Sequence, residues 1–180
     1  GSALPFVNLI EKTGVRKQAQ KRVIREIKEP LWVRKKDMYI VALPGDGFKI
    51  SYTMDYNHPV IGTLFFEYQA GSVSFSEELA PARTFGFERE VELLQKKGLA
   101  LGGSLENAVL VAEEDTVNSL RFPDEFIRHK VLDLIGDMAL NGYLKGHIIA
   151  VKSGHFLNIK LARLIKDNFE ERGGKGYDVY

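Results

Sequence analysis

The sequence contains no cysteine. A disulfide framework and thiolate metal sites are therefore excluded, and any bound metal must be held by histidine and carboxylate side chains. No apolar run approaches the length that spans a bilayer, so we expect no stable membrane insertion. No signal peptide opens the chain, and a cytoplasmic location is the expectation.

A surplus of charge of one sign is also lacking. The 25 lysine and arginine residues nearly balance the 24 aspartates and glutamates, which leaves a net charge of +1. The chain therefore has no overall field that would attract nucleic acid, and we expect no nucleic-acid partner. Its 180 residues are 44% hydrophobic, which is enough for a sizeable core in one domain, or in one domain with a fragment of another.

Strand-like runs dominate the first half of the chain, after a short amphipathic helix at residues 4–13 that ends at Gly14. Apolar or alternating segments separated by proline and glycine predict an antiparallel meander, with strands at 23–27, 31–33, 38–43, 48–54 and 63–68. Helical patterns follow at 87–97, 124–141 and 156–171, and short strands at 107–112 and 147–152. The pattern predicts an α+β fold: a two-layer sandwich with a mostly antiparallel or mixed sheet and helices on one face.

The segment DEFIRHKVLDLIGD, residues 124–137, carries the most informative pattern. At about 100° per residue, His129, Asp133 and Asp137 form one polar stripe, with apolar residues on the opposite side. Asp124 is the expected N-cap. An imidazole and a carboxylate one turn apart can ligate a metal such as zinc. The spacing H-x-x-x-D is weak, however, and by itself favours a solvated helix face with a His–Asp pair.

Two further segments could contribute to catalysis. Ser153-Gly154-His155 lies between a strand and a helix, so the helix N-terminus disfavours a charged His155 while a nearby carboxylate such as Asp137 would favour it. Such a histidine suits a general acid, and a capping or surface histidine is the alternative. The hydroxyl of Thr84 could donate to an oxyanion, or it could belong to an ordinary strand-edge threonine.

The remaining candidates are interpreted as structural. His58 lies in a predicted turn and His147 opens a predicted strand. Gly102-Gly103-Ser104 matches no phosphate-binding pattern and predicts a tight turn.

Four segments taken together resemble a known family. They occur in one order: ARTFGF at 82–87, KKGLALGGSLENA at 96–108, LRFPDEFIRHKVLDLIGD at 120–137 and SGHFLN at 153–158. This arrangement resembles the second, C-terminal domain of the UDP-3-O-acyl-N-acetylglucosamine deacetylase (LpxC) family. The resemblance covers this chain from residue 1 to about residue 165. The resemblance implies a Zn²⁺-dependent hydrolase that removes the N-acetyl group from UDP-3-O-acyl-N-acetylglucosamine in lipid A biosynthesis.

The resemblance also implies roles for individual residues. His129 and Asp133 would be two of three zinc ligands. His155 would be the general acid or an electrostatic partner, oriented by Asp137. Lys130 would be a cation that contacts the substrate. Thr84 would supply the hydroxyl that stabilises the oxyanion, and Phe85 would lie beside the substrate.

An inserted βαβ unit at about 85–112 is implied as well, with an apolar passage for the acyl chain. The residues implied to line this passage are Val91, Ala100, Ser104 and Leu110.

The chain departs from the family in one respect. The family's first domain supplies the third zinc ligand, a histidine, and a glutamate general base, and neither is found here. Residues 1–19 are expected to be the final helix and linker of that first domain, and residues 20–180 the second domain. We therefore expect the N-terminal domain of the same enzyme as a partner, and we expect the chain to be inactive without it.

A non-enzymatic α+β module that binds protein or nucleic acid is the competing hypothesis. The basic stretch RKQAQKRVIR, residues 16–25, is its best support. Near-zero net charge and the lack of an aromatic-interleaved basic motif count against RNA. Zinc binding that depends on His129 would favour the hydrolase.

Overall fold

The structure is a computed structural model that describes residues 1–20, 22–96, 98, 102–171 and 177–178. The helices are α1 (Leu4–Thr13), α2 (Glu88–Lys96), α3 (Glu125–Met138) and α4 (His155–Glu171). A π-helical turn spans Phe75–Leu79 and a 3-10 turn spans Ala139–Asn141. The strands are β1 (Val23–Glu26), β2 (Leu31–Lys35), β3 (Met38–Leu43), β4 (Phe48–Asp55), β5 (Thr63–Gln69), β6 (Thr84–Phe87), β7 (Ala108–Val111), β8 (Tyr143–Val151) and β9 (Tyr177–Asp178).

Strand β8 is the centre of a mixed sheet. It pairs in parallel with β4 on one side, and β5 continues the sheet as an antiparallel hairpin with β4. On its other side β8 pairs first with β1, in parallel, and then with β3, antiparallel, to which β2 is added. The predicted meander is therefore wrong between β3 and β4, because a strand from the C-terminal half separates them.

Gly146 lies where β8 changes neighbours from β1 to β3. A Cβ atom built at this position would lie 2.8 Å from Ile27 Cγ1 and 2.8 Å from the carbonyl oxygen of Leu43. Its φ of 154° is also one that side chains rarely adopt. This close approach explains why glycine occupies the middle of a strand that is otherwise rich in large side chains.

Helices α3 and α4 pack together on one face of the sheet, with α3 over β4 and β5 and α4 over β2 and β3. The core lies between these two layers, and its fully buried large side chains include Ile40, Ile50, Ile127, Leu134, Ile148 and Leu161. The apolar residues alternate along β8 and recur every three or four positions along α3 and α4, so each of these three elements directs one face to the core. The predicted two-layer α+β sandwich is confirmed.

The insert has the expected βαβ form. Strands β6 and β7 pair in parallel, from Thr84 opposite Ala108 to Phe87 opposite Val111, and α2 lies between them in sequence. A parallel pair requires a crossover connection, and α2 belongs to that connection.

Two details of α3 differ from the sequence-based expectation. The carboxylate of Asp124 makes no capping hydrogen bond, because it accepts instead from Arg128 Nε at 2.6 Å. The α-helix also ends at Met138, and a 3-10 turn continues to Gly142, whose φ is 73°.

Helix α1 buries none of its residues against the sandwich. It is joined to the rest through the Leu4 backbone N–H, which donates to the Ala80 carbonyl at 2.9 Å. Phe6, Leu9 and Ile10 are more than half exposed.

Within the part of the chain that the structure describes, no helix combines the length and apolar character needed to cross a bilayer.

Candidate active site

Helix α3 carries the polar stripe, but its first member is not at the surface. His129 is buried, and its Nδ1 atom lies 3.1 Å from the carbonyl oxygen of Ala82. A carbonyl oxygen can only accept, so Nδ1 carries the proton and the Nε2 lone pair points away from this contact. The Ala82 carbonyl therefore determines both the tautomer and the orientation of the ring.

Asp133 lies between two imidazoles. Its Oδ1 atom is 3.3 Å from His129 Nε2, and its Oδ2 atom is 3.8 Å from His155 Nε2. The helical spacing of four residues explains the first contact, whereas the second joins α3 to the start of α4. The structure thus brings together the three residues that the sequence placed in two separate segments.

His155 is the first residue of α4 and its side chain is 67% exposed. Its Nδ1 atom lies 2.9 Å from Asp137 Oδ2, and the same oxygen accepts from Asn158 Nδ2 at 2.9 Å. The predicted pairing of His155 with Asp137 is therefore present. An ionised Asp137 makes Nδ1 the donor, which leaves Nε2 of His155 directed towards Asp133.

The electrostatics of His129 favour a metal ligand. Burial lowers the pKa of the His129 imidazole and outweighs the opposing effect of Asp133. A neutral ring with Nδ1 protonated then holds an Nε2 lone pair 3.3 Å from a carboxylate oxygen. Two electron-rich atoms at this distance suit a shared cation, and the carbonyl behind Nδ1 is the kind of outer contact that orients metal-bound histidines. Among the described residues no group of three or more His, Cys, Asp or Glu side chains is arranged to hold a metal ion.

The segment before β6 is held by a buried ion pair that the sequence analysis did not anticipate. Glu125 is fully buried. Its carboxylate accepts from the Arg83 side chain, from Nε at 2.9 Å and from Nη2 at 3.1 Å. It also accepts from two backbone N–H groups, that of Arg83 at 2.8 Å and that of Arg121 at 2.6 Å. Arg83 also donates to the carbonyls of Leu105 and Ser119. Burial acts to raise the pKa of Glu125, but these hydrogen bonds outweigh it, so the pKa lies below its ordinary value.

We name this network the Arg83–Glu125 clamp. It joins the first turn of α3 to the backbone beside Ala82, whose carbonyl contacts His129. Arg83 and Glu125 are 42 positions apart, and no short motif marks them as partners.

Phe85 and Lys130 contact each other near the site. Lys130 Nζ lies 5.6 Å from the centre of the Phe85 ring, a distance that allows a cation–π contact. The same ring packs edge-on against Phe126 at 5.1 Å and Tyr56 at 5.8 Å. Thr84 is half-buried, two residues beyond the carbonyl that contacts His129, at the start of β6.

The residues predicted to line an acyl passage are spread over the insert. Val91 is half-buried on α2 and Leu110 is half-buried on β7. Ser104 is exposed in the turn that leads into β7, where its carbonyl accepts from Asn107 and Ala108 N–H groups. Ala100 lies outside the described residues. Their role as passage-lining residues stays a prediction.

A cavity of about 310 Å³ opens next to Lys130, which follows His129, and Ser153, which lies two residues before His155. It is lined by Asp37, Met38, Tyr52, Met54, Asp55, Tyr56, Lys130, Lys152 and Ser153. Lys152 Nζ pairs with Asp55 at 2.8 Å and with Asp37 at 3.1 Å, and these contacts raise the pKa of the Lys152 ammonium. Of these residues the sequence analysis named only Lys130 and Ser153, because the others come from parts of the chain that are distant in sequence.

The other two histidines have contacts that suit a structural role. His58 Nδ1 accepts from the Val60 N–H at 3.3 Å, and its ring packs against Phe87 at 5.2 Å. His147 Nε2 lies 2.8 Å from Ser51 Oγ, which donates to Glu67 at 3.0 Å.

Comparison with known proteins places the chain in a family. A family model described as UDP-3-O-acyl N-acetylglycosamine deacetylase (LpxC) matches residues 1–167. The UDP-3-O-acyl-N-acetylglucosamine deacetylase of Nitratidesulfovibrio vulgaris is 46% identical over 171 residues, which cover 93% of this chain and 55% of that protein. The enzyme of the same name from Myxococcus xanthus is 47% identical over 168 residues, covering 92% of this chain and 54% of that protein.

A third relative of the same name, from Geotalea uraniireducens, is 48% identical over 163 residues, covering 89% of this chain and 53% of that protein. The chain therefore spans about half the length of the curated relatives it matches. The match to the family model and the identity to these relatives show that this chain belongs to the UDP-3-O-acyl-N-acetylglucosamine deacetylase (LpxC) family.

Proposed function

We propose that this chain provides part of the active site of a zinc-dependent deacetylase. The reaction is removal of the N-acetyl group from UDP-3-O-acyl-N-acetylglucosamine in lipid A biosynthesis. The observation that carries the proposal is the position of Asp133 between the Nε2 atoms of His129 and His155. Each ring has its Nδ1 atom engaged by an oxygen acceptor, so each directs Nε2 towards the same carboxylate.

His129 Nε2 and an Asp133 oxygen are the proposed zinc ligands in this chain, because both donor types suit zinc and no cysteine is available. Zinc bound there would polarise the acetyl carbonyl and lower the pKa of a bound water. The third ligand and the glutamate general base are proposed to come from the first domain of the complete enzyme.

Residues of this chain are proposed to protonate the leaving amine and to stabilise the negative charge that develops on the carbonyl oxygen. His155, held by Asp137, is placed to donate a proton from Nε2 to the departing amine. The Thr84 hydroxyl is proposed to donate to the oxyanion. Lys130 lines the cavity, and its charge suits the diphosphate of a sugar nucleotide, whereas Lys152 in the same cavity is paired with Asp37 and Asp55.

A metal-binding measurement tests the first part of the proposal. The 180-residue chain is titrated with Zn²⁺ and the bound metal is measured after equilibrium dialysis. We expect zinc binding that His129→Ala and Asp133→Ala each abolish. His147→Ala is the matched control, because His147 contacts Ser51 and Glu67 rather than the proposed ligands.

Equal zinc binding by wild-type protein and His129→Ala would contradict the proposed ligands. No zinc binding, together with salt-sensitive binding to nucleic acid, would support the non-enzymatic alternative instead.

A complementation assay tests the second part. Because two protein ligands hold zinc less well than three, we expect little deacetylation by the chain alone. Adding the first domain of the Nitratidesulfovibrio vulgaris relative as a separate polypeptide should restore activity. Substantial activity of the pure chain would show that it contains the whole catalytic apparatus.

A further inference from the structure

Asn158 lies directly beneath the His155–Asp137 pair. It is 1% exposed, and its Nδ2 atom donates to Asp137 Oδ2 at 2.9 Å. Its Oδ1 atom accepts from Ser153 Oγ at 2.6 Å. His155 and Asn158 are three residues apart on α4, so both reach the same oxygen of Asp137 from one helix face.

The direction of the Asn158 amide follows from its two contacts. An ionised carboxylate only accepts, so the amide must present its NH₂ group to Asp137. The oxygen then faces Ser153, whose hydroxyl can donate to it. Reversing the amide would place its oxygen against a carboxylate oxygen and leave the Ser153 hydroxyl facing an NH₂ group.

The backbone of Ser153 is also held by a hydrogen bond. Its carbonyl accepts from the hydroxyl of Tyr52, a buried residue of β4. Burial raises the pKa of the Tyr52 hydroxyl, which keeps it protonated and able to donate. A continuous set of buried hydrogen bonds therefore runs from β4 through Ser153 and Asn158 to Asp137.

His155 depends on this set for its position. Its side chain is 67% exposed, whereas that of Asp137 is 14% exposed. The imidazole of His155 contacts Asp137 through Nδ1 at 2.9 Å and Asp133 through Nε2 at 3.8 Å. The ring is therefore oriented chiefly by Asp137, and Asp137 is in turn held from below by Asn158.

We propose that Asn158 is a positioning residue, which acts through Asp137 to keep Nδ1 of His155 protonated and Nε2 directed at the reacting group. Its catalytic part rests on the proposed deacetylase function. Asn158 serves this purpose better than a carboxylate, because its amide can donate to Asp137 without adding charge at the site.

The first test reads the tautomer of His155 by NMR in the ¹⁵N-labelled chain, at a pH where the ring is neutral. The signal is assigned with His155→Gln. We expect the proton on Nδ1 in wild-type protein and a shift towards Nε2–H in Asn158→Leu. A smaller shift in the same direction is expected for Ser153→Ala, which leaves the amide without its orienting partner.

Asn168→Leu is the matched control. Asn168 is on the same helix and donates to Glu29 at 3.1 Å, away from the site, so its substitution should leave the His155 tautomer unchanged. A wild-type tautomer in folded Asn158→Leu overturns the proposal. If Asn158→Leu does not fold, an unaltered tautomer in Ser153→Ala overturns it instead.

The second test is kinetic and uses the chain complemented with the first domain. We expect Asn158→Leu to lower kcat about 10- to 100-fold, the size of effect known for the outer hydrogen-bonding partners of metal ligands. KM and zinc content should not change. A wild-type enzyme without activity would contradict the proposed function, whereas an Asn158→Leu enzyme with wild-type kcat would contradict only the role of Asn158.

Discussion

The Arg83–Glu125 clamp gives a stability prediction that can be worked out from its contacts. The substitution Glu125→Gln keeps the size of the side chain but removes its charge. The wild-type carboxylate accepts four N–H groups, three from Arg83 and one from Arg121. In the variant, an NH₂ group would face some of these donors, and the buried guanidinium of Arg83 would lose its counter-charge.

Removing one member of a buried ion pair typically costs about 3–5 kcal/mol, because the remaining charge stays buried without compensation. We therefore expect Glu125→Gln to lower the free energy of unfolding by about 3–5 kcal/mol. A domain of this size is stable by only about 5–15 kcal/mol, so the loss should be easy to detect. Urea denaturation followed by circular dichroism measures it.

Glu78→Gln is the control for this experiment. Glu78 pairs with Arg128, but its side chain is 45% exposed, and an exposed pair contributes about 0–1 kcal/mol. If Glu125→Gln costs no more than Glu78→Gln, the clamp does not stabilise the fold through buried charge.

The clamp should also respond to acid in a defined direction. The folded pKa of Glu125 lies below its unfolded value of about 4.3. Its contribution is therefore fully present above that value and is lost as the pH falls through the folded pKa. The stability difference between wild-type protein and Glu125→Gln should narrow below about pH 4, measured by the same denaturation series. A difference that widens on acidification would contradict the sign of this shift.

Two core substitutions give further predictions, both measured by urea denaturation. Gly146→Ala should cost about 1–3 kcal/mol, since its Cβ would overlap Ile27 and the Leu43 carbonyl; an unchanged midpoint would show that β8 can shift to accept it. Tyr52→Phe should cost about 1 kcal/mol, since the Ser153 carbonyl loses its donor; a stabilised variant would argue against this hydrogen bond.

The sequence predicted most of the site that lies within one helix. His129, Asp133 and Asp137 follow the helical repeat, and the first two are in contact as expected. The sequence could not show that His129 is buried, because the polar stripe by itself suggests a solvated face. The segment before β6 contacts this ring through the Ala82 carbonyl, and the next residue, Arg83, belongs to the Arg83–Glu125 clamp.

The cavity lined by Lys130 and Lys152 could not be predicted from the sequence for a similar reason. Tyr56 follows β4, Lys130 lies on α3 and Lys152 follows β8, and no spacing along the chain relates them. Asn158 was visible only as part of the segment SGHFLN, and its contact with Asp137 is given by the structure alone.

The secondary structure of this protein follows directly from its pattern of apolar and polar residues. Alternating apolar residues specify the strands and the three-to-four spacing specifies α3 and α4, because these periods depend on backbone geometry over a few residues. The order of the strands does not follow from such periods. Only the folded chain inserts β8 between β3 and β4, and this insertion carries Ser153 and His155 to the end of α3. Contacts between residues far apart in sequence depend on how whole layers pack, so the completed His129–Asp133–His155 cluster is a property of the tertiary structure.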